Sequence, residues 1–261
     1  MKRPKEKAIL SWSGGKDSAL ALHKMQEARD CEIVSLLTTI TEGYDRSSMH
    51  GIRRRLIEQQ ARSIGLPLEK VPLSRVSSNG EYESRMREIL ERHKNKGVSR
   101  VVFGDIFLED VRRYREDRLA SIGMKGVFPL WGKDTAEVAR TFIRLGFKAV
   151  ITCVDSQQLD PGFTGRAFDE NMLASLPVHT DPCGENGEFH SFVYDGPIFR
   201  HPILFSMGEV VLREERFNYC DLLPTTSEEP EDGREPANCT KFRRESGGSA
   251  ESSGPEGELD S

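Results

Sequence analysis

The chain has 261 residues, enough for one large or two small domains with a core that needs no disulfide staples. The chain has five cysteines, and no two of them have the C-x-x-C spacing of a metal site. Because their number is odd and no pairing pattern is visible, a reducing compartment is the simplest setting. Because we find neither the apolar stretch of a signal peptide nor a run long enough to span a membrane, we expect a cytoplasmic protein.

The net charge of −5 is concentrated at the C-terminal end, where residues 225–261 hold 10 of the 42 acidic and 4 of the 37 basic residues. The remainder is close to neutral, so it offers no electrostatic basis for nonspecific nucleic-acid binding. Residues 225–261 also contain almost no apolar side chains, which cannot offset the entropy of ordering. We therefore predict a disordered acidic tail and no nucleic-acid partner.

A glycine loop, Ser13-Gly-Gly-Lys-Asp-Ser18, follows the first predicted strand at residues 8–10 and precedes a predicted helix at residues 19–25. Adjacent glycines let the backbone bend and approach a ligand closely. The free N–H groups at the start of the helix favour phosphate oxygens. The loop is therefore predicted to bind the phosphates of a nucleotide, although a plain glycine turn before a helix is the alternative.

The side chains of the loop support this prediction. Lys16, expected to be exposed, adds a positive charge, and the two serines add hydroxyl donors. The predicted nucleotide-binding residues are Ser13, Gly14, Gly15, Lys16, Asp17 and Ser18. Their spacing differs from that of the Walker loop and resembles the signature of the PP-loop ATP pyrophosphatases, which cleave ATP between the α and β phosphates.

Strands and helices alternate over the next hundred residues. Predicted strands cover 32–40, 68–73, 100–106 and 127–131, and predicted helices cover 52–64, 82–96 and 109–122. This order predicts an α/β fold with a parallel sheet and right-handed crossovers, whose ligands bind beyond the carboxyl ends of the strands. At one such end, Gly104 permits close backbone approach to a ligand. Asp105 could hold Mg²⁺ or a ribose hydroxyl, or could instead cap the following helix.

The pattern changes in the last third of the folded part. A helix at 134–145 and a strand at 149–154 precede a stretch rich in Gly, Pro, Asp and Asn, and short strand-like pieces follow up to residue 223. We predict a PP-loop ATP-binding domain at 1–131, a smaller α+β acceptor domain at 132–224 and the tail at 225–261.

A second motif lies in the loop-rich stretch, Asp181-Pro-Cys-Gly-Glu-Asn-Gly-Glu-Phe-His190. It contains a thiol, carboxylates and an imidazole, which are more reactive side chains than a structural turn requires. Singly, Glu185 could be a helix cap and His190 a surface side chain. We predict that Glu185, Glu188 and His190 are catalytic, each as a general base or a ligand for ammonium, together with Lys16.

Together the two motifs resemble the diphthine–ammonia ligase family of the PP-loop superfamily (N-type ATP pyrophosphatases, adenine nucleotide alpha hydrolase-like, with a HUP-like fold). The matching positions are Cys183, Gly184, Glu185, Gly187, Glu188, Asp195 and Pro197, with Gly104-Asp105-Ile106 and Pro129-Leu-Trp131. The resemblance implies that ATP with Mg²⁺ adenylates the carboxylate of diphthine on elongation factor 2. Ammonium then supplies the nitrogen, and diphthamide, AMP and pyrophosphate are released.

Three departures from the family pattern concern the part expected to read the acceptor. Asn186 replaces a glycine, Phe189-His-Ser191 replaces Tyr-Glu-Thr, and Glu116 stands for an arginine between Tyr114 and Arg118. The expected function is thus an amide-forming ligase whose acceptor is diphthine or another carboxylate. Two alternatives are a PP-loop RNA-modifying enzyme, which would be expected to show a basic surface or paired cysteines, and a nucleotide-binding protein without turnover.

Overall fold

The computed structural model describes residues 5–47, 51–74 and 79–225, which build two β-sheets. The predicted disordered tail lies outside the described residues, apart from Thr225. Across the described ranges, every helix is too short or too polar to cross a lipid bilayer.

The first sheet and its helices occupy the N-terminal half. Its strands are β1 (Glu6–Ser11), β2 (Cys31–Thr41), β3 (Arg46–Ser47), β4 (Leu68–Leu73), β5 (Val98–Val102) and β6 (Lys125–Val127), and its helices are α1 (Lys16–Ala28), α2 (Arg54–Ile64), α3 (Asn79–Asn95) and α4 (Glu109–Ser121). The five longer strands run parallel in the order β4-β2-β1-β5-β6, and β3 pairs antiparallel with the end of β2. The predicted parallel α/β sheet is confirmed.

Both faces of this sheet are buried, which explains why its strands are apolar on both sides. Side chains of β1 alternate between the faces: Ala8 and Leu10 belong to one hydrophobic core and Ile9 to another. The core around Leu10 includes α1, α2 and the C-terminal half of the protein, whereas the core around Ile9 includes α3 and α4.

The second sheet is antiparallel and belongs to the C-terminal half. It contains β7 (Lys148–Asp155), β8 (Phe189–Asp195), β9 (Phe205–Arg213) and β10 (Phe217–Pro224) in the order β8-β7-β10-β9, with helices α5 (Thr135–Arg144) and α6 (Glu170–Ala174) and a short 3₁₀ turn at Pro161–Phe163. Helix α5 begins where predicted, because Asp134 caps it by accepting a hydrogen bond from Glu137 N at 2.8 Å.

Two predicted strands end earlier than expected. Strand β5 stops at Val102 instead of residue 106, and β6 stops at Val127 instead of residue 131. Proline lacks the N–H that a strand ladder needs, which explains why pairing does not continue through Pro129. Residues 103–106 instead form the connection that approaches the glycine loop.

The two sheets are joined by backbone and side-chain bonds. Val193 N on β8 donates to the carbonyl of Gly14 at 2.9 Å. At the start of α2, Arg53 forms two hydrogen bonds with the carboxylate of Asp221 on β10. The second sheet therefore holds the glycine loop directly.

Candidate active site

The predicted phosphate loop is the turn between β1 and α1. Gly14 has φ +82°, and a Cβ there would lie only 2.6 Å from Ile57 Cδ1, so the position requires glycine. The hydroxyl of Ser18 donates to Gly15 O at 2.9 Å and lies 3.1 Å from the hydroxyl of Ser13. The loop thus presents the N-terminus of α1 in a fixed conformation, as an anion site requires.

Gly104 supports this loop from the end of β5. A Cβ at residue 104 would lie 2.8 Å from the carbonyl carbon of Asp17 and 3.0 Å from Ser18 N. The close approach predicted for Gly104 is therefore to the backbone at the start of α1. Any side chain here would displace the loop.

Lys16 is buried, and the expectation that it would be exposed is wrong. Only 4 % of the residue is accessible, and Nζ donates to Asp17 Oδ2 at 2.9 Å and to the carbonyl oxygen of Cys183. Its amine also lies 5.4 Å from the ring centre of Phe189. Burial alone would lower the pKa of Lys16, but the Asp17 carboxylate and nearby groups raise it, so the amine stays charged.

Gln60 on α2 holds the glycine loop, a contact that was not predicted from the sequence. Its side chain is fully buried, and Nε2 donates to the carbonyls of Gly14 at 3.0 Å and Val193 at 2.6 Å. The indole N–H of Trp12 donates to its Oε1 at 2.9 Å. The signal available in the sequence was a polar residue on the apolar face of a predicted helix, between Ile57 and Ala61.

The second motif folds back on itself around two carboxylates. Asp181 Oδ1 accepts from Cys183 N at 2.9 Å and from Glu185 N at 3.1 Å. Glu188 is buried, its Oε1 accepts from Asp181 N at 2.9 Å, and its Oε2 accepts from Asn186 N at 3.0 Å. Because both Glu188 oxygens bond within this segment, the geometry favours a loop-holding role for Glu188 over the predicted catalytic one.

Asn186, one of the departures from the family pattern, belongs to the same arrangement. Its side-chain Nδ2 donates to Glu188 Oε1 at 3.1 Å. The substitution thus adds a bond inside the loop.

Glu185 connects the second motif to the first sheet. Its Oε1 accepts a hydrogen bond from Ile106 N at 2.8 Å, immediately after Gly104 and Asp105. Burial raises the pKa of Glu185 to about 7, and the Asp17 and Asp105 carboxylates act in the same direction. Near neutral pH this carboxyl group therefore exists in both protonation states, which suits a general base.

Asp105 pairs with a cation and does not cap the next helix. Its Oδ2 lies 2.9 Å from Arg115 Nε, whereas α4 begins four residues later with Leu108 at the N-cap position. The alternative of an N-cap role is therefore wrong. Burial raises the pKa of Asp105 and the neighbouring Arg115 opposes that rise.

His190 and Ser191 lie on β8 beside the start of α1. Ser191 Oγ accepts from Lys16 N at 3.2 Å. Burial, with a contribution from the charge of Lys16, lowers the pKa of His190 to about 4, so the imidazole is neutral at pH 7. Of the predicted catalytic residues, Lys16 bonds to Cys183 in the second motif, and Glu185 bonds to Ile106 in the connection after β5. His190 is close enough to Lys16 for that charge to lower its pKa.

A cavity of about 390 Å³ lies beside the ends of β1 and β5 and the middle of β2. Ser11, Leu37 and Phe103 contribute to its floor, and α3 and α4 form its walls. Tyr114 on the wall donates to Glu83 Oε1 at 3.0 Å, and Arg118 pairs with the same carboxylate. The face shared by Tyr114 and Arg118 therefore borders a pocket.

Two family models match nearly all of the described chain. Residues 6–126 match the Diphthamide synthase N-terminal domain, and residues 134–221 match the Diphthamide synthase C-terminal domain. Each of the two motifs thus lies within one matched domain.

Curated relatives agree with these matches. The chain is 24 % identical over 220 residues to a diphthine–ammonia ligase of Schizosaccharomyces pombe, an alignment that covers 76 % of this chain and 36 % of that one. It is 26 % identical over 141 residues to the human diphthine–ammonia ligase, covering 51 % and 52 %. With the zebrafish diphthine–ammonia ligase the identity is 25 % over 227 residues, covering 78 % and 88 %. The alignment therefore spans about a third of the yeast protein and half of the human one.

Among solved structures, a U34-tRNA thiolase of Methanococcus maripaludis aligns with a TM-score of 0.35 and 16 % identity, covering 55 % of this chain and 59 % of that one.

Proposed function

Since the chain belongs to the diphthamide synthase family, we propose that it is an ATP-dependent ligase that forms an amide from a carboxylate and ammonium, with release of AMP and pyrophosphate. The observation that carries this proposal is the junction of the two motifs at Lys16. Its backbone N–H bonds to Ser191, and its amine bonds to the carbonyl of Cys183. A phosphate loop and an acidic loop are thereby held in one site.

We place the triphosphate at the N-terminus of α1 and the nucleoside in the adjoining cavity. The first N–H groups of a helix favour phosphate oxygens, and Ser13 and Ser18 add hydroxyl groups. The cavity's 390 Å³ volume and its apolar floor suit an aromatic base. For Lys16 to contact a phosphate, its Nζ would have to leave Cys183 O.

Two carboxylates beside the loop fit the Mg²⁺ that an ATP-using enzyme of this kind needs. Asp17 Oδ1 is buried without a hydrogen-bond partner among the described residues, and Asp105 is close enough to raise the pKa of Glu185. The described side chains contain no preformed group of three metal ligands. Mg²⁺ commonly binds one or two carboxylates together with substrate phosphates. When bound, the ion neutralises phosphate charge.

The amide-forming step needs a group that takes a proton from ammonium. Glu185 fits this role, because its pKa of about 7 keeps part of the population ionised at neutral pH and its loop borders the phosphate loop. His190, neutral at this pH, is a second proton acceptor on β8. Asp181 and Glu188 hold the loop that carries Glu185. The acceptor domain, residues 132–224, would thus supply the base.

The acceptor we propose is a carboxylate, with diphthine on elongation factor 2 as the candidate in an archaeal or eukaryotic setting. The test measures AMP and pyrophosphate release from ATP, Mg²⁺ and ammonium, with and without diphthine-bearing elongation factor 2. We expect acceptor-dependent release that falls roughly a hundredfold in Glu185→Gln, the usual scale for losing a general base. The exposed Glu170→Gln is the matched control.

Each outcome has a separate meaning. Production of ADP and phosphate would refute the proposed ligase. Release of AMP only with a different carboxylate would retain the ligase and reject diphthine. Wild-type rates in Glu185→Gln would reject the assigned base.

A further inference from the structure

Strand β9 forms an edge of the second sheet and exposes apolar side chains. Among the described strands it pairs with β10 alone. Met207, Val210, Val211 and Leu212 are between 40 and 56 % exposed. An exposed apolar edge strand is a template for pairing with another strand, and proteins usually protect or use it.

The sequence of this edge, Glu209-Val-Val-Leu-Arg213, is self-complementary in an antiparallel pairing. If Val211 lies on a two-fold axis, Val210 stands opposite Leu212 of a second copy. Glu209 then stands opposite Arg213 of that copy, and the reverse pair forms by symmetry. A register centred on Val210 or Leu212 loses the charge pairing.

The two charges have no competing partners within the described chain. Neither Glu209 nor Arg213 forms an ion pair with another described residue. With Val211 they share one face of β9, because side chains alternate along a strand. Opposite charges directly across two strands stabilise the pairing, whereas like charges destabilise it.

The hairpin that carries β9 is held rigidly at its turn. Arg216 donates two hydrogen bonds to the carboxylate of Asp155, at 2.8 and 2.6 Å. These bonds fix the turn beside Arg213, and the segment from Val210 to Arg213 pairs in regular register with Phe217 to Cys220 of β10. The chain's own residues 226–261 are poor candidates to cover it, since they contain few apolar side chains.

We propose that β9 is a homodimer interface. A second copy of the chain adds its own β9 antiparallel to the first, with Val211 on the two-fold axis, and the two four-stranded sheets become one continuous sheet of eight strands. The proposal is independent of the proposed ligase activity.

The test is sedimentation equilibrium of the full chain and its variants. The wild type is expected at twice the 29.4 kDa chain mass. Val211→Lys, Glu209→Arg and Arg213→Glu are each expected to weaken the dimer about tenfold or more, since every change acts twice across the axis. The double variant Glu209→Arg with Arg213→Glu restores both charge pairs and is expected to return the dissociation constant to near the wild-type value.

The control is Val178→Lys, which places the same change at another exposed valine. Far-ultraviolet circular dichroism confirms that each variant is folded. A wild type that stays monomeric at the highest soluble concentration would overturn the proposal. So would a dimer that Val211→Lys leaves intact, or a folded double variant that is no stronger than the single ones.

Discussion

Replacing Gln60 with methionine tests the network that ties the phosphate loop to the second sheet. Methionine keeps the length of the side chain but neither donates to the carbonyls of Gly14 and Val193 nor accepts from the indole N–H of Trp12. The carbonyl of Gly14 still accepts from Val193 N, so the groups that lose their Gln60 partner are the indole N–H of Trp12 and the carbonyl of Val193. At about 1 to 3 kcal/mol for each unsatisfied group, the free energy of unfolding should fall by about 2 to 6 kcal/mol.

Urea unfolding followed by circular dichroism measures this loss. The matched control is Gln59→Met, because the neighbouring Gln59 has a side-chain oxygen without a hydrogen-bond partner among the described residues. We also expect the KM for ATP to rise in Gln60→Met, since the carbonyl of Gly14 is less firmly held. A loss below about 1 kcal/mol, or an equal loss in the control, would show that the network does not stabilise the loop.

Three further predictions concern the site. Because kcat/KM reports the pKa values of the free enzyme, kcat/KM should rise across roughly one pH unit on either side of about 7, where Glu185 loses its proton. Glu185→Gln should abolish that rise, which a pH profile of kcat/KM measures. Lys16→Met leaves the half-buried Asp17 without its ion-pair partner and should lower the free energy of unfolding by about 1 to 3 kcal/mol as well as remove activity, so an unchanged melting temperature would contradict this ion pair. Gly104→Ala places a Cβ 2.8 Å from the backbone of Asp17 and should weaken ATP binding about tenfold or more in calorimetry, with unchanged affinity as the contrary result.

The sequence predicted the parts of the fold that depend on local patterns. Strand β4 at Leu68–Leu73 and the start of α4 at Glu109 lie where predicted, because glycine, proline and the change of hydrophobic period mark them locally. The predicted end of β5 was wrong, because the apolar Phe103 and Ile106 extend the pattern of the strand although residues 103–106 form a connection. The predicted parallel sheet followed from strand order alone.

The burial of Lys16 could not be predicted from its motif. Its amine bonds to the carbonyl of Cys183, which is 167 residues away in the chain. Likewise Gln60 reaches Val193 across 133 residues, and no local pattern records such a contact. The difference between Glu185 and Glu188 depends on how their loop closes, since the two glutamates lie in similar sequence surroundings.

The most direct test of the proposed ligase follows phosphorus and nitrogen together. The 261-residue chain is incubated with ATP, Mg²⁺, ¹⁵N-ammonium and diphthine-bearing elongation factor 2. Phosphorus NMR identifies the nucleotide products, and mass spectrometry measures the incorporation of ¹⁵N into elongation factor 2. We expect one AMP and one pyrophosphate for each ¹⁵N-amide formed. ADP and inorganic phosphate, or AMP release without incorporation of ¹⁵N in the presence of this acceptor, would contradict ligation to diphthine.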